Sequence, residues 1–135
     1  MSKVGLFGGT FDPIHHGHLI TAQSVKEIRK LDKIIFVPAF ISPHKQHEKA
    51  SSAEHRLNML KLALNDIPFF ECSDFEIKQH TISYTIDTLR EFKKYFDENK
   101  VEGCFALMDN GTGRFTVYNL ARYRDSSFLP ASTFK

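Results

Sequence analysis

The chain has 135 residues, 41% of them hydrophobic and 25% charged, and this composition predicts one globular domain with an apolar core. A formal net charge of +2, from 18 basic and 16 acidic side chains, is too small to indicate binding to nucleic acid or a membrane surface. Cys72 and Cys104 show no CxxC spacing and no apolar run is long enough to cross a bilayer, so we expect no disulfide framework, no zinc ribbon and a cytoplasmic location.

Strand and helix patterns alternate over the first hundred residues, as in a parallel sheet with crossover helices. Residues 4–7 and 33–37 read as the first two strands, and residues 38–50 read as a loop containing Pro38 and Pro43. The helix predicted between these strands, over residues 19–30, has an apolar residue at every third position: Leu19, Ala22, Val25 and Ile28.

A second helix is predicted to begin at Ser51, where Glu54 would complete a capping box. Its apolar stripe is formed by Leu57, Leu60 and Leu64. A third strand is expected over residues 69–73, and a last helix near Ser83 carries core-facing residues on one side: Ile86, Leu89, Phe92 and Phe96. The predicted fold class is α/β, a Rossmann-like parallel sheet with flanking helices over residues 1–98 and a tail over 99–135 that forms a C-terminal β-hairpin with an irregular end.

The segment between the first strand and the first helix carries the clearest functional signal, because it reads GGTFDPIHHGH from Gly8 to His18. Glycines let backbone approach a polyanion closely, and a helix start supplies unpaired N–H groups and the positive end of a dipole. His15 and His18 would add side-chain donors. The spacing matches neither GxGxxG nor a Walker P-loop. Two other interpretations are a His-rich polar loop with solvated imidazoles and a zinc site, although no Cys or Glu stands nearby at a ligand-like spacing.

This segment resembles the opening of the HxGH nucleotidyltransferases, and in particular of bacterial nicotinate-nucleotide adenylyltransferases. These enzymes transfer AMP from ATP to nicotinate mononucleotide in NAD biosynthesis. The resemblance implies that His15 and His18 are catalytic and that Mg²⁺ accompanies ATP, with no metal held by the protein alone. It also implies an ATP phosphate site made of Gly8, Gly9, Thr10, Phe11, His15 and His18. Asp12 is expected to order the loop and is not assigned a catalytic role.

Two later segments resemble the same family. His44 and Lys45 match a PHK segment that implies contact with the mononucleotide phosphate, although a lysine in isolation reads as solvated. Ser83, Tyr84 and Thr85 match an SYTxDTL helix start, which implies recognition of the nicotinate ring and carboxylate. The structural alternative is that Ser83 and Thr85 only cap the helix.

The resemblance runs from residue 3 to about residue 96, and the family's later ISSTxxR motif, which holds the triphosphate, has no counterpart in this sequence. Residues 102–135 instead resemble the N-terminal hairpin and SxxK segment of class D serine β-lactamases, ending in PASTFK. By position Ser132 would be the nucleophile and Lys135 the base, but the other lactamase motifs are absent. Residues 105–108 are predicted to add a fourth parallel strand.

Three hypotheses follow. The first is an adenylyltransferase with ATP and nicotinate mononucleotide as partners, binding neither nucleic acid nor membrane. The second is a chimeric or truncated nucleotide-binding module without turnover. The third is a structural or interaction fragment whose motif residues are solvated. A remote alternative is an inactive β-lactamase fragment. A free strand edge or uncovered sheet face would favour a homo-oligomer.

Overall fold

The computed structural model describes residues 3–40, 51–80, 85–99, 102–109, 114–119 and 130–134. The elements in chain order are β1 (Lys3–Gly9), α1 (His16–Ile28), β2 (Lys33–Pro38), α2 (Ala53–Leu64), β3 (Phe70–Cys72), α3 (Phe75–Gln79), α4 (Thr85–Glu98), β4 (Glu102–Asp109), β5 (Arg114–Asn119) and β6 (Pro130–Phe134).

These six strands form one sheet in the order β3-β2-β1-β4-β5-β6. The first four strands of that order are parallel, and Gly5 of β1 lies between Ile34 of β2 and Cys104 of β4. β5 and β6 then extend the sheet with antiparallel pairing. The α/β class predicted from the alternation of strands and helices is therefore confirmed, and the parallel strands end together at the edge where β1 reaches its glycines.

The core lies on both faces of this sheet because successive side chains of a strand point to opposite faces. On one face Phe7 and Phe36 pack with buried residues of α1 and α2, including Ala22, Val25 and Leu60. On the other face a second set packs against α4: Val4, Leu6, Ile35, Val37, Leu89 and Phe96. The crossover helices thus cover the two faces and leave the carboxyl edge of the sheet for the connecting loops.

Helix α1 differs from its prediction at both ends. It begins at His16 because His15 caps it, and it ends at Ile28, whose side chain is 61% exposed. A spacing of three residues falls short of one helical turn of 3.6, so three such steps rotate Ile28 about half a turn away from Leu19. The predicted apolar stripe therefore holds for Ala22 and Val25, which are buried, and is wrong for Ile28.

Helix α2 begins two residues later than predicted. Its N-cap is Ser52, whose Oγ accepts a hydrogen bond from the backbone N–H of His55 at 3.2 Å. The predicted capping box of Ser51 and Glu54 is wrong, because the Ser51 N–H donates to the distant carboxylate of Asp12 instead. Short helix α3, of five residues, was not predicted. Among the described residues, no helix is both long and apolar enough to span a membrane.

Candidate active site

The start of α1 is built from a reciprocal pair of histidines. His15 is the N-cap residue, and its Nδ1 accepts a hydrogen bond from the Gly17 N–H at 3.1 Å. The His15 N–H in turn donates to Nδ1 of His18 at 3.1 Å. This is the capping-box arrangement, with imidazole rings in place of the usual hydroxyl and carboxylate.

These two hydrogen bonds also decide where each ring carries its proton. Because Nδ1 is the acceptor in both histidines, the proton of each neutral ring lies on Nε2. The rings stack at a centroid distance of 3.8 Å with an interplanar angle of 28°. The helix N-terminus thus carries two adjacent Nε2–H donors, and this is the arrangement that binds and stabilises anionic oxygens.

His18 is the buried member of the pair, with 5% of its surface exposed. Its ring lies edge-on to the rings of Phe7 and Phe11, with centroids 6.2 and 5.1 Å away. Burial in this aromatic surrounding, together with the nearby charge of His15, lowers the pKa of His18 to about 4. His18 is therefore a neutral hydrogen-bond donor at neutral pH.

The low pKa of His18 predicts a pH dependence of stability. Between pH 6.5, its ordinary pKa, and about 4, the unfolded chain binds a proton that the folded chain does not. The contribution of neutral His18 to the free energy of unfolding should be fully present above pH 6.5. The free energy should then fall by an amount on the order of 3 kcal/mol as the pH drops to about 4. Urea unfolding across this range, compared with His18→Phe, measures the effect. An identical pH dependence in the two chains would contradict the prediction.

Gly9 leaves room for the aromatic ring of Phe11, in addition to letting the backbone approach a ligand closely. Gly9 lies under the ring of Phe11, and a Cβ at Gly9 would meet the ring atoms at 3.3 Å. Phe11 adopts a positive φ of 52° and is 1% exposed. Its side chain therefore belongs to the core, so that only its backbone is placed to meet a ligand. The sequence prediction of Phe11 as a phosphate-binding residue thus reduces to its backbone groups.

Gly17 is needed for the position of His15. A Cβ at residue 17 would lie 2.9 Å from Cε1 and 3.0 Å from Nδ1 of the His15 ring. We expect Gly17→Ala to push the ring off α1 and lower kcat for any reaction that uses the His15 donor by about tenfold or more. Steady-state kinetics measures this, with Ser24→Ala on the same helix as the control. Unchanged kcat in Gly17→Ala would show that the ring position is not required.

A buried arginine that the sequence analysis missed joins the loops around this site. Arg56 of α2 is 2% exposed and donates to the carbonyl oxygens of Thr10, Ala39, Phe40 and Ser51. The signal was present in the sequence, because Arg56 precedes Leu60 and Leu64 at intervals of four residues on the core-facing side of its helix. A charged residue on an apolar stripe indicates a specific polar partner.

Of the five residues predicted to bind the mononucleotide, the structure describes one. His44, Lys45, Ser83 and Tyr84 lie outside the described residues, and Thr85 is the first residue of α4. Behind that helix start, Thr88 Oγ1 donates to Glu76 Oε2 at 2.7 Å, and both residues are buried. This bond fixes the first turn of α4 to α3.

An open cleft of about 620 Å³ lies beside His15 at the start of α1, between α1 and the end of α2. It is lined by Ile14, His15, His16, Gly17, Leu19 and Ala63. Its apolar wall and polar histidine rim are typical of a small-molecule site.

A parallel sheet whose first strand ends in glycines, followed by a helix start with paired imidazole donors, defines an α/β protein with an anion-binding loop at the carboxyl edge of its sheet. The profile of the cytidylyltransferase-like family matches residues 6–116, and the chain belongs to this family. The match extends beyond residue 96, where the resemblance was predicted to end, and includes β4.

The chain is also similar in sequence to curated proteins with a more specific name than that of the family. The chain is 52% identical over 96 residues to a probable nicotinate-nucleotide adenylyltransferase of Thermoanaerobacter sp., covering 71% of this chain and 46% of the relative. It is 45% identical over 112 residues to one of Clostridium tetani, covering 81% of this chain and 56% of the relative. The chain therefore spans about half the length of the curated relatives it matches.

Among solved structures, the fold is similar to that of Plasmodium falciparum nicotinic acid mononucleotide adenylyltransferase complexed with NaAD. The TM-score is 0.63 at 20% sequence identity, and the match covers 78% of this chain and 51% of that one. At this identity the likeness shows a shared fold.

Proposed function

We propose that this chain carries the catalytic loop of a nicotinate-nucleotide adenylyltransferase, which transfers AMP from ATP to nicotinate mononucleotide and releases pyrophosphate. The observation that carries the proposal is the pair of Nε2–H donors held at the start of α1 by His15 and His18. The names of the relatives, at up to 52% identity, support the choice of substrates.

In the proposed reaction a phosphate oxygen of nicotinate mononucleotide attacks the α-phosphorus of ATP in line with the bond to the β-phosphate. The new P–O bond forms as the bond from the α-phosphorus to the bridging oxygen breaks, and pyrophosphate leaves with that electron pair. The products are deamido-NAD and pyrophosphate. Such a transfer needs positioned donors rather than a covalent nucleophile.

The ATP phosphates would meet the backbone of Gly8, Gly9, Thr10 and Phe11 and the side chains of His15 and His18. The neutral state of His18 permits it to bind as a donor without the cost of burying a charge. A hydrogen bond from Nε2–H to a phosphate oxygen strengthens as negative charge develops on the leaving oxygens.

We assign Mg²⁺ to the phosphate oxygens of ATP. Mg²⁺ keeps several waters and binds through substrate phosphates in many nucleotide sites, so we propose an ion that arrives with ATP. Its chemistry there would be to neutralise phosphate charge.

For the second substrate, we propose that His44 and Lys45 meet the mononucleotide phosphate. Ser83, Tyr84 and Thr85 would bind the nicotinate ring and carboxylate at the start of α4. The buried bond between Thr88 and Glu76 supports this assignment, because it holds the first turn of α4 in place. The cytoplasm is the proposed location, and self-association through a strand edge stays a prediction.

A nucleotide-binding module without turnover is the second candidate. The sequence feature that bears on it is that these 135 residues contain no match to the ISSTxxR triphosphate motif. The β-lactamase resemblance of the tail is a weaker hypothesis, because Ser132 lies in strand β6 opposite Val117 and not on a helix.

The test is pyrophosphate release from ATP, Mg²⁺ and nicotinate mononucleotide, paired with calorimetric binding of each nucleotide. Turnover that requires nicotinate mononucleotide supports the adenylyltransferase. Binding of ATP without turnover supports the module. Absence of both would contradict the two candidates and leave the motif without a nucleotide role.

A further inference from the structure

We propose that Arg56 is a positioning residue for nucleotidyl transfer. Its guanidinium would hold the loop between β1 and α1 in register with the end of β2 and the start of α2, and thereby set the position of His18. The kinetic part of this inference rests on the proposed function, and its spectroscopic part does not.

The buried guanidinium of Arg56 donates hydrogen bonds to four backbone carbonyls. Nη1 of Arg56 donates to the carbonyl of Thr10 at 2.8 Å and to that of Ala39 at 2.6 Å. Nη2 donates to Phe40 O at 3.0 Å, and Nε donates to Ser51 O at 2.9 Å. One planar guanidinium group therefore bridges three separate backbone segments at the carboxyl edge of the parallel sheet.

The buried guanidinium has a nearby counter-charge. Burial lowers the pKa of Arg56, whereas the carboxylate of Asp12, in the same loop as Thr10, opposes that effect and favours the charged guanidinium. The same carboxylate accepts the Ser51 N–H at 2.9 Å. Ser51 is therefore linked to the loop in two ways. Its N–H donates to Asp12, and its carbonyl accepts from Arg56, which also donates to Thr10.

The hydrogen bonds of Arg56 are linked to the imidazole pair through Phe11. Thr10, which Arg56 holds, directly precedes Phe11, and the Phe11 ring packs edge-on to the His18 ring at 5.1 Å. A shift of the Thr10 carbonyl therefore moves the aromatic wall against which His18 rests. Because tightly packed interiors transmit small displacements, the Nε2–H donor of His18 would move with it.

Position 56 requires an arginine for its hydrogen-bonding geometry more than for stability. A buried charge gives little net stability compared with well-packed apolar groups, so stability alone does not explain an arginine on this face. A lysine would keep the charge but could not reach the same carbonyls with a rigid fork. The geometry points to a guanidinium selected for directing several loop carbonyls at once.

The kinetic test compares Arg56→Lys and Arg56→Ala with Leu64→Ala, a buried substitution farther along the same helix. Arg56→Lys should lower kcat/KM by about 100-fold, since small misplacements far from the chemistry have effects of that size. Leu64→Ala should lower the melting temperature but leave kcat/KM unchanged when assayed well below that temperature. Guanidinium ion, and not sodium ion at equal concentration, should partly restore turnover in Arg56→Ala. Wild-type turnover in Arg56→Lys, or equal kinetic losses in Arg56→Lys and Leu64→Ala, would overturn the inference.

A readout without turnover separates this inference from the proposed function. The Cε1–H resonance of His18 should shift farther in Arg56→Lys than in Leu64→Ala, and the Ser51 amide should exchange faster only in Arg56→Lys. If the wild-type chain shows no adenylyl transfer, the proposed function fails and this measurement alone decides the role of Arg56. An unchanged His18 resonance and Ser51 exchange rate in Arg56→Lys would overturn the inference even in an active chain.

Discussion

Replacing His18 with alanine is expected to lower kcat for adenylyl transfer by about 10²- to 10³-fold, the effect of removing one preorganised donor from a developing oxyanion. The donor is the Nε2–H group, because Nδ1 of His18 is occupied as the acceptor for the His15 N–H. Pyrophosphate release at saturating ATP, Mg²⁺ and nicotinate mononucleotide measures the effect.

Two controls separate lost chemistry from lost packing. His18→Phe keeps an aromatic ring beside Phe7 and Phe11 but has no donor, so it should lose activity as His18→Ala does while retaining more stability. His55→Ala removes an exposed imidazole on α2, outside the cleft, and should leave kcat unchanged. Full activity in His18→Phe would show that the ring serves only the core.

Ending the chain after residue 99 is expected to abolish cooperative folding, whereas ending it after residue 119 is expected to preserve it. β4 pairs with β1 from Glu102 to Leu107, so its removal leaves β1 as an unpaired edge in what was the middle of the sheet. Among the described strands, β6 pairs only with β5, at the border of the sheet, so its loss removes no neighbour of the parallel strands.

Circular dichroism and thermal unfolding of the two truncated chains measure this difference. The experiment also tests the predicted boundary between a core over residues 1–98 and a separate tail. Cooperative unfolding of the chain that ends at residue 99 would support that boundary and contradict the structural need for β4. Loss of folding in the chain that ends at residue 119 would show that the last strand supports the sheet.

The parts of the fold that follow from local pattern were predictable. The apolar run before Gly8 and the run over residues 33–37 form parallel strands, and the leucine stripe of the second helix is buried at Leu60 and Leu64. The loop from Gly8 to His18 could be located because its residues are contiguous, and His15 and His18 are indeed brought together. The periodicity was misleading at Ile28, where a spacing of three drifts around the helix.

The sequence by itself determined the fold class, the order of the main elements and the segment that carries the nucleotide motif, because each of these depends on neighbouring residues. Only the tertiary structure decided that Ser52 caps α2, that His18 is buried and neutral, and that Arg56 joins Thr10, Ala39 and Ser51. The physical reason is distance along the chain. Arg56 and Thr10 are 46 residues apart, and the partners and burial that set their energies exist only once the sheet has brought the loops to one edge.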